Sequence, residues 1–324
     1  MRSFAIGFVL LRCATAASFE AVEPHMGTLV RVQLDAPDPT RAKAAFRAAF
    51  ERIAQIDAAL SDYKPDSELN RLSREGVGRP APVSADLFTV LKAAQSLSEK
   101  TEGAFDITIG PLTRLWREAR KAGHPPAPAA IEAARQHCGY LKLHLDGTAR
   151  TAQLDEPGMQ LDLGAIAKGY AADEALEAVT KLGIASALIA VSGDLAFSNP
   201  RPGEAAWTVG IDVGFPRTLE LVNGAVSTSG PTEQYLEANG QRYSHIIDPA
   251  TGLGLTQDLR VTVIARRGLT ADGWATALSV LGVERGLKLL EKEREITALF
   301  ALTENGHTRI YESAQVRRFV RKSR

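Results

Sequence analysis

LDLGAIAKGYAADEALEAVTKLGIASALIAVSGD (161–194) is the stretch on which the fold turns. The chain leaves an apolar run at Asp162, turns at Gly164 and enters a helix expected to end near Gly183, a residue suited to a C-terminal cap. SALIAV (186–191) follows as a buried strand and stops at Ser192-Gly193-Asp194. Strand, helix and strand in succession are the unit of a doubly wound parallel sheet. Lys168 at the helix start adds a likeness to a phosphate loop, but a Walker loop carries a hydroxyl after its lysine to hold magnesium. Here Gly169 stands in that place.

The flanking sequence does not repeat the unit. Residues 207–258 read as strands separated by glycine-rich turns, and RVTVIA (260–265) is a strand running into a helix over 269–281. Towards the N-terminus, GTLVRVQL (27–34) alternates like a half-buried strand. Helices are expected from Asp38-Pro39-Thr40 to Leu60 and over 84–101. GAFDITIG (103–110) sets Phe105, Ile107 and Ile109 on one face and Asp106 and Thr108 on the other. Residues 123–128 read as a loop, with short strands around 141–145, 151–154 and 160–163. Strands outnumber helices in the second half without a βαβ rhythm, which makes the fold class α+β.

A chain of 324 residues with 45% hydrophobic content buries a large core. Lys+Arg and Asp+Glu both number 38, so overall charge gives no case for a nucleic-acid partner. RRFVRKSR (317–324) reads as a solvated basic tail. At the start, one arginine, an apolar run over 4–11 and Ala14-Thr15-Ala16 resemble a short secretory signal. That predicts a periplasmic or otherwise exported protein. Cys13 suggests a lipid anchor, but Arg12 just before it fits a lipid-attachment site poorly, so a membrane lipoprotein is the lesser expectation, beside weak membrane association. No later run reaches the roughly 18 apolar residues of a membrane span. Without Cys13, Cys138 stands alone and forms no internal disulfide.

Four places carry chemistry. Lys168 lies in a first helical turn, where the dipole disfavours a cation by roughly 0.3–1 kcal/mol, and Gly169 costs the helix about 1 kcal/mol relative to alanine. Either an anion at the helix start pairs with the lysine while glycine admits a close approach, or the lysine faces solvent beside a glycine needed for packing. In TADGWATALSVLG (270–282), Asp272 and Thr276 are one helical turn apart and offer hard oxygen ligands suited to Mg²⁺. The alternative is an acid that suits the dipole and a core threonine. Ser227, Thr228 and Ser229 crowd hydroxyls at a strand end, and His245 precedes the turn Asp248-Pro249-Ala250-Thr251-Gly252. That histidine serves as an acid or base near neutral pH, or only bonds a turn carbonyl. Tyr63, before Pro65, stacks on a planar ligand or is simply half-buried.

Taken together, MGT (26–28), SDY…SELNRLS (61–73), GAFDITIGPLTRLW (103–116), LDLGAIAKGYAAD (161–173), VSTSG…RYSHIIDPATG (226–252) and VTVIA…TADGWATALSVLG (261–282) resemble, in order, the ApbE-like flavin transferases. The resemblance covers about residues 22–312. It implies a single large mixed α+β domain with antiparallel-rich sheets and flanking helices. With the leader-like start and the basic run at the end, the chain divides into an expected signal peptide (1–17), a flavin transferase catalytic domain (18–315) implied by the resemblance, and a basic tail (316–324). The resemblance further implies a Mg²⁺-dependent enzyme with FAD as substrate, moving FMN onto a threonine hydroxyl of an acceptor protein with an FMN-binding domain. Carried over by motif, Met26, Tyr63, Ala104, Phe105, Asp106, Asp162, Lys168 and the His245–Ile246 stretch are the implied FAD contacts. The Ala165 carbonyl, Asp272 and Thr276 are the implied magnesium ligands, and His245 is the candidate base. Ser192-Gly193 departs from the glycine pair often found after the central strand. Competing readings are an FAD pyrophosphatase using water as nucleophile and a non-catalytic flavin carrier.

Overall fold

The computed structural model describes residues 17–212, 216–231, 234–238, 240–316 and 319. The expected signal segment, with Cys13, lies outside them up to residue 16. In chain order the elements are β1 (Ala17–His25), β2 (Thr28–Ala36), α1 (Pro39–Leu60), α2 (Glu68–Glu75), β3 (Ala81–Pro82), α3 (Ala85–Lys100), α4 (Gly110–Ala122) and α5 (Pro128–Gln136). After these come β4 (Leu143–Asp146), β5 (Thr151–Leu154), α6 (Ala167–Lys181), β6 (Ala187–Val191), β7 (Asp194–Phe197), β8 (Trp207–Asp212), β9 (Pro216–Leu221) and β10 (Gly224–Ser229). The last are β11 (Tyr235–Ala238), β12 (Gln241–Ser244), β13 (Asp258–Ala265), α7 (Gly268–Leu290), β14 (Thr297–Glu304) and β15 (His307–Glu312).

The main sheet runs β1-β2-β6-β7-β10-β13-β14-β15, and every neighbouring pair in it is antiparallel. The 161–194 segment therefore enters no parallel βαβ unit, and the α+β expectation holds. One face of the sheet carries α1, α3, α6 and α7 over the larger core. The β8–β9 hairpin covers part of the other face, packing Val209, Ile211, Leu219 and Leu221 near Val226, Ile264 and Leu299. With cover on both sides, β13 is buried on both faces from Val261 to Ala265.

Local signals placed many boundaries. Asp38 caps α1, accepting from the Arg41 N–H at 2.9 Å, and Ser84 caps α3 through the Leu87 N–H. On β2, Val30, Val32, Leu34 and Ala36 are buried in strict alternation. Other expectations need correction. Residues 160–163 form no strand: Gln160 makes one bridge to Ile109, and the Asp162 N–H donates to the Ile107 carbonyl. The 161–194 helix starts at Ala167, because the Asp162 carboxylate accepts the Gly164 N–H and holds the preceding turn. Helices α4 and α5 were not foreseen, and Pro128 opens α5 instead of closing the loop. Beyond Leu281, α7 continues to Leu290 across a break at Gly282.

Val316, at the edge of the expected tail, is fully buried near the β8–β9 hairpin, and the Phe319 carbonyl accepts the Glu220 N–H. Among the described residues, no helix is long and apolar enough to cross a membrane.

Candidate active site

The starts of α6 and α7 meet backbone to backbone. A Cβ on Gly169 would lie 2.1 Å from the Gly268 carbonyl oxygen, and one on Gly268 would lie 2.4 Å from that of Gly169. Only glycine fits at such a crossing. Neither helix has a side-chain cap from its own N-cap residue, Ile166 or Arg267. They cap each other. Asp173 of α6 accepts the N–H groups of Gly268 (2.6 Å) and Leu269 (3.0 Å) of α7. Asp272 of α7 accepts the Gly169 N–H of α6 at 2.9 Å. The glycine thus serves helix packing, as one of its two sequence readings held, and the close approach it admits is α7 itself.

Lys168, beside that glycine, does not face open solvent. Its Nζ donates to Asp194 Oδ2 at 2.6 Å and lies 3.8 Å from Asp272 Oδ1. Ser227 Oγ donates to the other Asp194 oxygen. Burial pushes the Asp272 carboxyl up to about 7, and the Asp194 charge adds to this, while Lys168 and the Gly169 N–H pull it back. Thr276 Oγ1 lies 3.4 Å from Ser229 Oγ. Ser192, at the strand end before Asp194, adopts a left-handed φ of 58°.

These groups open into a cavity of about 1050 Å³. Its wall also carries Tyr63, 69% exposed, with the Arg117 guanidinium 4.1 Å from the ring centroid. Arg117 also donates to Asp62 and, at 3.2 Å, to Asp162. Burial and the charge of Asp162 push the Asp62 carboxyl above its ordinary range. Behind this wall, Asp106 is buried and accepts both the N–H and the hydroxyl of Thr108 at 2.7 Å. Burial pushes it up as well.

Every candidate from the sequence borders this space. Met26, Tyr63, Ala104, Phe105, Asp106 and Asp162 lie on one side, while Ala165, Lys168, Asp272 and Thr276 lie at the helix starts. His245 and Ile246 complete the set. Met26 turns the β1–β2 hairpin with Gly27, at φ of 51° and 70°. His245 lines the cavity and also bonds a turn carbonyl, its Nδ1 lying 3.2 Å from the Gln234 oxygen.

The sequence model of the ApbE family matches residues 26–300. The chain belongs to the ApbE family. Among curated relatives, the FAD:protein FMN transferase of Salmonella typhimurium is 35% identical, covering 93% of this chain and 91% of that protein. The one from Treponema pallidum is 34% identical over 89% of this chain and 85% of its own length. The solved structure of the flavin transferase ApbE from Vibrio cholerae matches with a TM-score of 0.84 at 30% identity, covering 94% of this chain and all of that one, 100%. The apo structure of Pseudomonas stutzeri flavinyl transferase ApbE gives a TM-score of 0.83 at 31% identity, over 92% and 95% of the two chains.

Within this ApbE-family cavity the donor set suits a hard divalent ion. Among the described residues no three His, Cys, Asp or Glu cluster as a metal site. The helix starts instead offer the Asp272 carboxylate, the Thr276 hydroxyl and backbone near Ala165, with Asp194 close by. Two carboxylates share one lysine there, so with Asp272 ionised the centre carries surplus negative charge that a cation would offset. Sequence reading missed Asp194, Asp62, Arg117 and Arg260, which also border the cavity. Asp194, in the Ser192-Gly193-Asp194 turn after the buried strand, was visible as a polar residue but carried no sign of its partners. Arg117 had none, because α4 was not anticipated.

Proposed function

We propose that this chain is an FAD:protein FMN transferase that moves FMN from FAD onto a threonine hydroxyl of an FMN-binding acceptor protein. The observation that carries the reading is the Lys168–Asp194–Asp272 centre, set at two converging helix starts inside a cavity large enough for a dinucleotide. In the step, the acceptor oxygen bonds to the FMN-side phosphorus. The bond from that phosphorus to the bridging oxygen breaks, AMP departs with the electron pair, and the hydroxyl proton passes to a base. His245, on the cavity wall, is the assigned base, a role typically worth about 10²–10⁴-fold.

Lys168 offsets phosphate charge, and Tyr63 offers a ring face to a planar group. Asp272, Thr276 and the Ala165 carbonyl would hold Mg²⁺, which supplies charge neutralisation at the diphosphate when bound. The rest of the catalysis is positioning. The leader-like start supports export to the periplasm.

The test is incubation of the purified chain with FAD and Mg²⁺, with and without an FMN-binding domain. Acceptor mass should rise by one FMN for each AMP released. Fast stoichiometric AMP release without acceptor would instead make the centre an FAD pyrophosphatase. FAD binding with no turnover, unchanged by metal, would leave only a carrier.

A further inference from the structure

The cavity does not end at the Lys168 centre. It continues to the opposite face of the main sheet, beside the β8–β9 hairpin, where Leu195, Val209, Ile211, Val226, Thr228 and Arg260 line it. Strand registers place these residues. Val226 pairs with Ile264 and Thr228 with Thr262, and both Val226 and Ile264 belong to the hairpin-side core. The alternate residues Ser227 and Ser229 reach Asp194 and Thr276 on the helix side. The centre and this lobe therefore lie on opposite faces of β10, joined around its end.

One step past the β10–β13 register, Gly230 comes opposite Arg260. A Cβ at Gly230 would sit 3.1 Å from Arg260 Cγ, so the arginine stem lies across bare backbone. Arg260 borders the cavity, and its guanidinium makes no hydrogen bond or ion pair among the described residues. Asp258, two residues back on the same face, does not pair with it and keeps a buried oxygen without a partner. A partly buried guanidinium in a wall of apolar and hydroxyl groups calls for an oxyanion in fork geometry, a carboxylate of the acceptor or a phosphate of FAD, and the acceptor KM and FAD Kd tell the two apart. In-line displacement adds a direction, because the attacking oxygen approaches phosphorus from the side away from the leaving oxygen. Tyr63, an exposed aromatic face suited to a planar ring, follows α1 on the helix side of the sheet and borders the same cavity.

We propose that the lobe beside the β8–β9 hairpin receives an extended segment of the acceptor protein, and that Arg260 selects it by pairing with a carboxylate near the attacking hydroxyl. This rests on the transfer reading above. Its test uses the full chain with an FMN-binding domain that the wild type labels, measuring acceptor KM, kcat and FAD Kd separately. Arg260→Glu should raise the acceptor KM roughly ten-fold or more, with FAD Kd within about two-fold of wild type. Arg260→Lys should recover part of the loss, and Gly230→Ala, which displaces the arginine stem, should reproduce part of it. Changing the acceptor's acidic residues to lysine one at a time should identify one that restores labelling by Arg260→Glu. An unchanged acceptor KM, or an FAD Kd that rises in step with it, would overturn the assignment. Should Arg260→Glu fail to fold, Arg260→Met reads the same two constants. A wild-type chain that labels no acceptor would defeat the transfer reading itself, and this inference with it.

Discussion

At the start of α6, Lys168 is held by a lattice of backbone contacts. Gly169 touches Gly268, Asp173 caps one helix and Asp272 the other. Elsewhere on the cavity wall, Tyr63 rests against Arg117, which is itself tied to Asp62 and Asp162 by side chains alone. The first region is fixed by main chain on two long helices; the second is assembled from a loop and one face of α4. A change in the first should therefore disturb fold and chemistry together. A change in the second should alter ligand affinity and leave the fold standing. The centre is the frame, and the wall is its adjustable part.

The most severe way to break this contrast is Gly169→Ala. A methyl 2.1 Å from the Gly268 oxygen must drive the helices apart. A loss of about 3 kcal/mol or more is expected, seen as a lower denaturant midpoint together with loss of transfer. If thermal and chemical unfolding were unchanged, the backbone crossing would not hold the centre. Lys168→Ala comes next: transfer should fall by about 10²–10³-fold, as when a preorganised charge partner is removed, with the far-UV spectrum retained. Labelling at full rate would remove the lysine from the centre.

Arg117→Ala sharpens the other side. Removing the cation over Tyr63 and the partner of two carboxylates should weaken FAD binding by roughly ten-fold, with kcat changed less and the melting temperature nearly constant. Melting that drops as far as in Gly169→Ala would erase the distinction between frame and wall.

Ser192→Gly probes a smaller effect. The serine at φ 58° occupies a conformation that costs an L-residue roughly 1–2 kcal/mol. Glycine should recover about 1 kcal/mol, read from urea unfolding. The smallest effect concerns Cys138, whose thiol is pushed up to about 12, chiefly by burial and further by the Asp106 charge. The folded thiol stays protonated through pH 8, so iodoacetamide should label it far more slowly than the urea-unfolded chain. Because its folded pKa is raised above the ordinary 9.0 of a free thiol, its contribution to stability is intact below that pH and declines as pH rises above it. Equal labelling of folded and unfolded protein at pH 8 would contradict its burial.

Much of this architecture was legible in local patterns. The caps Asp38 and Ser84, the alternation of β2 and the missing βαβ rhythm depend on neighbours a few residues apart, where periodicity carries the information. Residues 160–163 misled because a single bridge and an Asp162-stabilised turn look like the end of a strand in one dimension. Helix α4 escaped notice, and with it Arg117. Lys168 was seen as an anomaly, but its partner Asp194 was not, since the lysine and aspartate come together only when α6 packs beside β7.

The amino-acid order alone determined the α+β class, most strand and helix positions, and a set of oxygen, ammonium and aromatic groups in one recurring series of motifs. Tertiary structure decided that Gly169 meets a helix and not a ligand, that two helices cap each other, and that the cavity passes around β10 to Arg260. The reason is range. Side-chain periodicity is set by bond geometry over a few residues, whereas Gly169 and Asp272 meet only through the packing of helices on a shared sheet.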